Sequence, residues 1–147
     1  MIMTDYFLKK AVEQQISEGE SVTLRVTGRS MRPYLSGTGN ELVVVSKHKS
    51  EELKLGVIIL FSYNDRFVFH RILNKVNDRL VVQGDGNCVD TENILTKNVL
   101  GIVRYIIRPE GKQVSPYSFS ARIHWQIWYR LRPIRKYLLF IYNRLHP

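Results

Sequence analysis

Between Ser21 and Ile107 the chain is a succession of short runs rich in Val, Ile, Leu and Phe, most of them closed by Gly, Asn, Asp or Pro. The runs fall at 22–26, 41–47, 57–63, 67–76, 80–83 and 99–107. Segments of this length and composition read as β-strands, and the Asn64-Asp65-Arg66 and Asn77-Asp78 breaks read as hairpin turns. Helical patterning is confined to the two ends. Residues 4–16 read as a short amphipathic helix with Thr4 or Asp5 as cap, Leu8, Val12 and Ile16 on one face, and Gly19 as its stop. Strands in the middle and helices at the ends predict a mainly β fold. It is a hairpin-built β domain over residues 1–112, including the N-terminal helix, followed by a basic amphipathic helical tail over 113–147.

The net charge of +9 is unevenly spread. No acidic residue follows Glu110, whereas Lys112, Arg122, Arg130, Arg132, Arg135, Lys136 and Arg144 all do. The excess of positive charge therefore belongs to the tail. A single cysteine, Cys88, excludes an internal disulfide and a cysteine-based zinc cluster, and reads as a small packing residue. No cofactor and no metal are expected. No stretch is long and apolar enough to span a bilayer, and the early Asp5 with lysines after Phe7 and Leu8 is the wrong order for a secretory signal. The expected location is the cytoplasm, as a soluble protein or one held peripherally at the inner membrane face.

The stretch Val-Thr-Gly-Arg-Ser-Met-Arg-Pro-Tyr-Leu-Ser-Gly, 26–37, carries the first candidate chemistry. A strand ends at Gly28, which supplies an unusual torsion, and Pro33 keeps the chain from re-entering a ladder. Ser30 is thereby presented on a turn, where it becomes a nucleophile only if a base and an orienting group stand behind it. Met31 and Pro33 read as packing and turn residues. His70, inside Phe-Val-Phe-His-Arg-Ile-Leu, is the candidate base. Arg71, its neighbour, points to the opposite face of the strand and reads as half of a structural ion pair. Gly-Asp-Gly-Asn-Cys-Val-Asp, 84–90, supplies two candidate acids, Asp85 and Asp90. His48 reads as a solvated loop residue, and nothing in the sequence pairs with His124 or His146.

In order, Gly-x-Ser-Met-x-Pro, a valine-rich strand, His-Arg-Ile and Gly-Asp-x-Asn-x-x-Asp resemble the boxes of the type I signal peptidases, the serine peptidase superfamily that also contains the self-cleaving repressors. The resemblance covers about Val26 to Val103 and is closest to the branch whose base is histidine rather than lysine. It implies a serine endopeptidase that removes a leader or signal segment from a precursor peptide. Ser30 would be the nucleophile, His70 the general base, and Asp90 the acid that orients it, with Asp85 as the alternative. Asp90 lies one residue closer to Asp85 than that branch usually has it. Gly28 stands where lysine-type members often carry an oxyanion-binding hydroxyl, so backbone amides around Gly28, Ser30 and Met31 take that role. The resemblance also implies that the precursor binds as an extended strand against a sheet edge.

Two rivals follow from the same residues. One is a catalytically silent module of this fold that binds leader peptides for another enzyme. The other is a self-cleaving regulatory domain, for which the sequence offers neither a DNA-binding module nor a cleavage loop. The tail adds a further expectation. Ile127, Leu131, Ile134, Leu138, Ile141 and Leu145 recur at helical spacing, with Pro133 dividing the tail into two helices. Trp125, Trp128, Arg130, Arg132, Arg135 and Lys136 read as a surface for an anionic membrane or for a partner protein. Packing of the stripe onto the domain is the competing reading. Nucleic acid is disfavoured because no base-reading motif accompanies the charge.

Overall fold

A computed structural model describes residues 2–147, with side chains from Phe7 onward in the first helix. The chain runs α1 (Ile2–Ser17), β1 (Val22–Thr27), β2 (Thr38–Ser46), β3 (Ile58–Tyr63), β4 (Arg66–Val76), β5 (Arg79–Gln83), β6 (Glu92–Leu95), β7 (Val99–Ile107), β8 (Gln113–Val114), α2 (Phe119–Arg130) and α3 (Arg135–Leu145). The fold is mainly β, as the pattern of short runs predicts. All eight strands join one antiparallel sheet in the order β1-β2-β7-β3-β4-β5-β6, with β8 added to β7. Two strands lie outside the predicted set, β6 and β8, both very short. Because β8 pairs with β7, the sheet extends past the expected boundary at residue 112.

Tyr63 pairs with Arg66, so the β3–β4 loop is two residues long. Asn64 and Asp65 take φ of 50° and 61°, the double left-handed turn whose twist matches antiparallel strands and which Asn and Asp tolerate. The sheet buries both faces of β3. Ile58 and Leu60 join Met31, Leu35, Val43, Val45, Val103 and Ile106 in one core, closed by Val12 and Ile16 of α1. Ile59 and Phe61 join Ile72, Leu80, Val82 and Ile102 in a second. A strand covered on both sides reads as a continuous apolar run, which is what 57–63 shows. Leu8, expected on the buried face of α1, is exposed; the helix reaches the sheet through Lys9, which donates to Ser62 Oγ at 3.2 Å, and buries its apolar face from Val12 onward. The expected Thr4 or Asp5 cap lies outside the described side chains.

Tyr117 ties the connector before α2 to the sheet. Its hydroxyl donates to the Val103 carbonyl at 2.6 Å and accepts from the Ile58 amide at 3.2 Å, and burial pushes the phenol up to about 12. The tail divides around Pro133 as predicted. No helix among the described residues is long and apolar enough to cross a membrane.

Candidate functional site

The turn bearing Ser30 is pinched by two glycines. Gly28 and Gly37 both have positive φ, and the Gly28 amide donates to the Gly37 carbonyl at 3.2 Å. A Cβ on Gly37 would lie 1.5 Å from the Gly28 carbonyl oxygen, so no other residue fits this closure. Inside the turn Met31 and Leu35 drop into the core, leaving Ser30 at the rim, half-buried. The Gly28 amide is thus committed to the turn. Those of Ser30 and Met31 donate to no acceptor among the described residues, so they and not Gly28 are free to receive an oxyanion.

The glycine-rich loop after β5 packs directly on this turn. The Gly86 amide donates to the Ser30 carbonyl at 2.7 Å, and the Asp85 amide donates to Met31 Sδ at 3.4 Å. A Cβ on Gly84 would lie 2.2 Å from the Ser30 backbone carbonyl oxygen and 3.0 Å from His70 Nε2. Gly84 therefore marks one point at which the serine turn and the imidazole both arrive. The fold brings Ser30 and His70 together, with a missing side chain between them. The Ser30 hydroxyl itself makes no hydrogen bond among the described residues.

His70 is 3% exposed. Its ring meets Phe61 edge-on, with centroids 5.7 Å apart, and its Nδ1 lies 3.1 Å from Glu92 Oε2. Strand register explains the pairing. Ile72, Val82 and Glu92 stand opposite one another across β4, β5 and β6, so their side chains share a face. His70 precedes Ile72 by two residues and points the same way. Burial holds the imidazole below its ordinary value of 6.5, opposed by the Glu92 charge and hydrogen bond and by the charge of Asp85. The neutral ring with Nδ1–H donating to Glu92 leaves Nε2 as an acceptor on the side of Ser30, the tautomer a general base requires.

This arrangement corrects the reading of the acids. Asp90 is exposed; its backbone carbonyl accepts from Gln83 Nε2 at 3.2 Å, and its carboxylate does not reach His70. Asp85 is consumed by Arg71, which grips it through Nε and Nη2 at 2.9 and 2.8 Å with both side chains almost fully buried. Arg71 is the structural ion pair expected of it, and it is further held by the Gly56 carbonyl and the rings of Tyr34 and Trp125. Glu92, two residues past the expected acid, went unread because only the β5–β6 register reveals it. No group of His, Cys, Asp and Glu suited to a metal occurs among the described residues.

The tail lies against this site. Trp128 Nε1 donates to the Asp85 carbonyl at 2.8 Å, and Trp125 covers Gly56 and Arg71. Arg135 is buried and donates to Gln83 Oε1, the Asn87 carbonyl and the Trp128 carbonyl at 3.2, 3.1 and 3.1 Å. Trp125, Trp128 and Arg135, expected on an outer binding surface, therefore face the domain. Arg130 and Lys136 remain exposed, and Arg132 lies over the Tyr129 ring, half-buried. From the serine turn, Arg32 reaches Asn143 Oδ1 and the His146 carbonyl at 2.9 and 2.8 Å, a partner for His146 that the sequence did not suggest. His48 is half-buried rather than solvated, and its Nδ1 has no partner among the described residues.

A cavity of about 610 Å³ opens between α2 and the domain and is lined by Tyr34, Asp85, Trp125, Ile127 and Trp128. It touches neither Ser30 nor His70; Asp85 forms part of its wall. The cavity and the candidate chemistry thus lie apart, and the convergence of the Ser30 turn, the His70 imidazole and the Glu92 carboxylate is the more specific signal. No protein-family model matches the chain, and no curated protein matches its sequence.

Proposed function

We propose that the protein is a serine endopeptidase of the signal-peptidase type, acting on cytoplasmic precursor peptides from which it removes a leader or signal segment. The observation that carries this reading is the arrangement of His70, held at Nδ1 by Glu92 with Nε2 turned toward the Ser30 turn. Ser30 Oγ attacks the scissile carbonyl while Nε2 takes its proton. Glu92 stabilises the imidazolium, and the Ser30 and Met31 amides receive the oxyanion. The imidazolium then protonates the leaving amine, and water resolves the acyl-enzyme by the same route in reverse. β1 is an edge strand and runs straight into the serine turn. A precursor added along it by main-chain hydrogen bonds would present its scissile bond at Ser30.

One observation favours the silent leader-binding module instead: the Ser30 hydroxyl lacks a hydrogen bond to its base. Such bonds are often long in a free enzyme and tighten with substrate. Treatment with a serine-directed acylating inhibitor, then mass spectrometry, separates the two readings. The peptidase acquires the adduct on Ser30 and loses it in His70→Ala. Absence of labelling at Ser30, with leader affinity retained in Ser30→Ala, would establish the binding module.

A further inference from the structure

Helix α3 is apolar on both sides. Its inner side, Arg135, Leu138, Leu139, Tyr142 and Asn143, meets the domain, with Leu139 in full burial. Its outer side carries Tyr137, Phe140, Ile141 and Leu145, which are 61, 64, 56 and 71% exposed. These positions recur at helical spacing and form one stripe. A surface helix ordinarily turns polar residues outward; here the polar members of the outer side are Lys136 and Arg144, both cations. Lys136 Nζ lies 4.9 Å from the Tyr137 ring centre, and the Arg144 guanidinium lies 5.9 Å from that of Phe140.

We infer that the outer face of α3 lies on an anionic membrane surface, with Phe140, Ile141 and Leu145 in the acyl boundary and Lys136 and Arg144 among the headgroups. Charge decides the occupant. No Asp or Glu follows Glu110, so two copies meeting through this face would oppose Lys136 and Arg144 to their like. A nucleic acid would leave four large apolar side chains without a partner. An anionic lipid surface satisfies both halves at once, since long basic side chains extend to the headgroups while aromatic rings occupy the interface. The face differs from the one the sequence suggests, because Trp125, Trp128 and Arg135 are turned inward. The opposite side of the same helix holds Arg32 through Asn143 and His146. A docked α3 would thus place the Ser30 turn about one helix diameter, roughly 10–12 Å, from the lipid. The inference stands without the peptidase reading.

The test is flotation of the full chain with vesicles of phosphatidylcholine alone and of phosphatidylcholine with about one-third phosphatidylglycerol. Binding is expected to the anionic vesicles, weakened by salt, and weak on the neutral ones. Phe140→Ser/Ile141→Ser, which alters only exposed positions, should abolish binding while its circular dichroism and melting match those of the parent. Lys136→Gln/Arg144→Gln should reduce partitioning about thirtyfold, or roughly fivefold per cation. Failure to float with anionic vesicles would overturn the inference, as would undiminished binding of either variant. A concentration-dependent dimer that Phe140→Ser/Ile141→Ser dissolves, in a chain that ignores vesicles, would assign the face to a second copy and likewise overturn it.

Discussion

Replacing Glu92 by Gln tests the assignment of the acid with the least disturbance, because the side chain keeps its shape and loses only its charge. The Glu92 side chain is 23% exposed and sits 3.1 Å from His70 Nδ1. A unit charge pair at that distance interacts by about 1.3 kcal/mol in water and by about 5 kcal/mol at an effective dielectric of ~20. Partial exposure places the pair nearer the first figure. Even that lower limit corresponds to about a tenfold change in proton affinity. Burial already depresses His70, and Glu92 works against burial, so removing the charge must lower the proton affinity further, by at least about tenfold.

The assay is the pH titration of the His70 ring by ¹⁵N-detected NMR in the parent, Glu92→Gln and Asp90→Asn. The midpoint should fall in Glu92→Gln and stay in place in Asp90→Asn. Stability follows with a definite sign. With its folded value below 6.5, His70 contributes stability that is fully present above the unfolded value and is lost as pH falls through the folded one. Acid melting should therefore begin below about pH 6.5, and the loss should extend to lower pH in Glu92→Gln. An unchanged midpoint in Glu92→Gln, or an equal response to both variants, would refute the assignment of Glu92, whereas a parent His70 that titrates above 6.5 would refute the dominance of burial.

Arg71→Met should cost about 3–5 kcal/mol, because it strands a buried Asp85 carboxylate, and Arg71→Met/Asp85→Leu should recover most of that in urea unfolding. Gly84→Ala should abolish inhibitor labelling of Ser30, since its Cβ would lie 2.2 Å from the Ser30 backbone carbonyl oxygen and force the serine turn away from His70. Gly111→Ala, which meets no atom within 4 Å at φ 88°, should cost only about 1–2 kcal/mol of backbone strain and leave labelling intact. Arg135→Ala should destabilise the protein by about 1–3 kcal/mol for each acceptor left bare, which thermal melting and amide exchange at Asn87 would register.

What sequence reveals here depends on how local its cause is. The Asn64-Asp65 hairpin and the Pro133 break are decided by torsions of the residues themselves, and both are readable. So is the opposition of His70 and Arg71, which alternation along one strand dictates. The choice of acid is not local. Asp90 and Glu92 are separated by two positions in the chain, yet only Glu92 pairs across β5, because β6 begins at that residue. β6 is four residues long with an Asn in the middle, too weak a pattern to announce itself. The tail fails for a related reason. Spacing marks α3 as amphipathic but cannot say which of two apolar sides meets the domain, and the buried Arg135 reads in sequence as one more surface cation.

The contacts of Arg135 make the tail part of the site's mechanical support. Its guanidinium holds Gln83 Oε1 and the Asn87 carbonyl, while Gln83 Nε2 holds the Asp90 carbonyl. Those bonds pin both ends of the loop that enters β6, and β6 opens with Glu92. Trp128 adds a third anchor at Asp85. A loop rich in glycine loses much conformational entropy on ordering, so a loop pinned at 83, 85, 87 and 90 presents its acid with less spread than one tethered by the sheet alone. Loosening the tail should then broaden the position of Glu92 before it unfolds the sheet. Truncation after residue 118 would expose this order of events: the sheet should persist by circular dichroism while the His70 midpoint shifts down, as in Glu92→Gln. A truncated chain whose His70 titrates like the parent would show that β5 and β6 position the acid unaided.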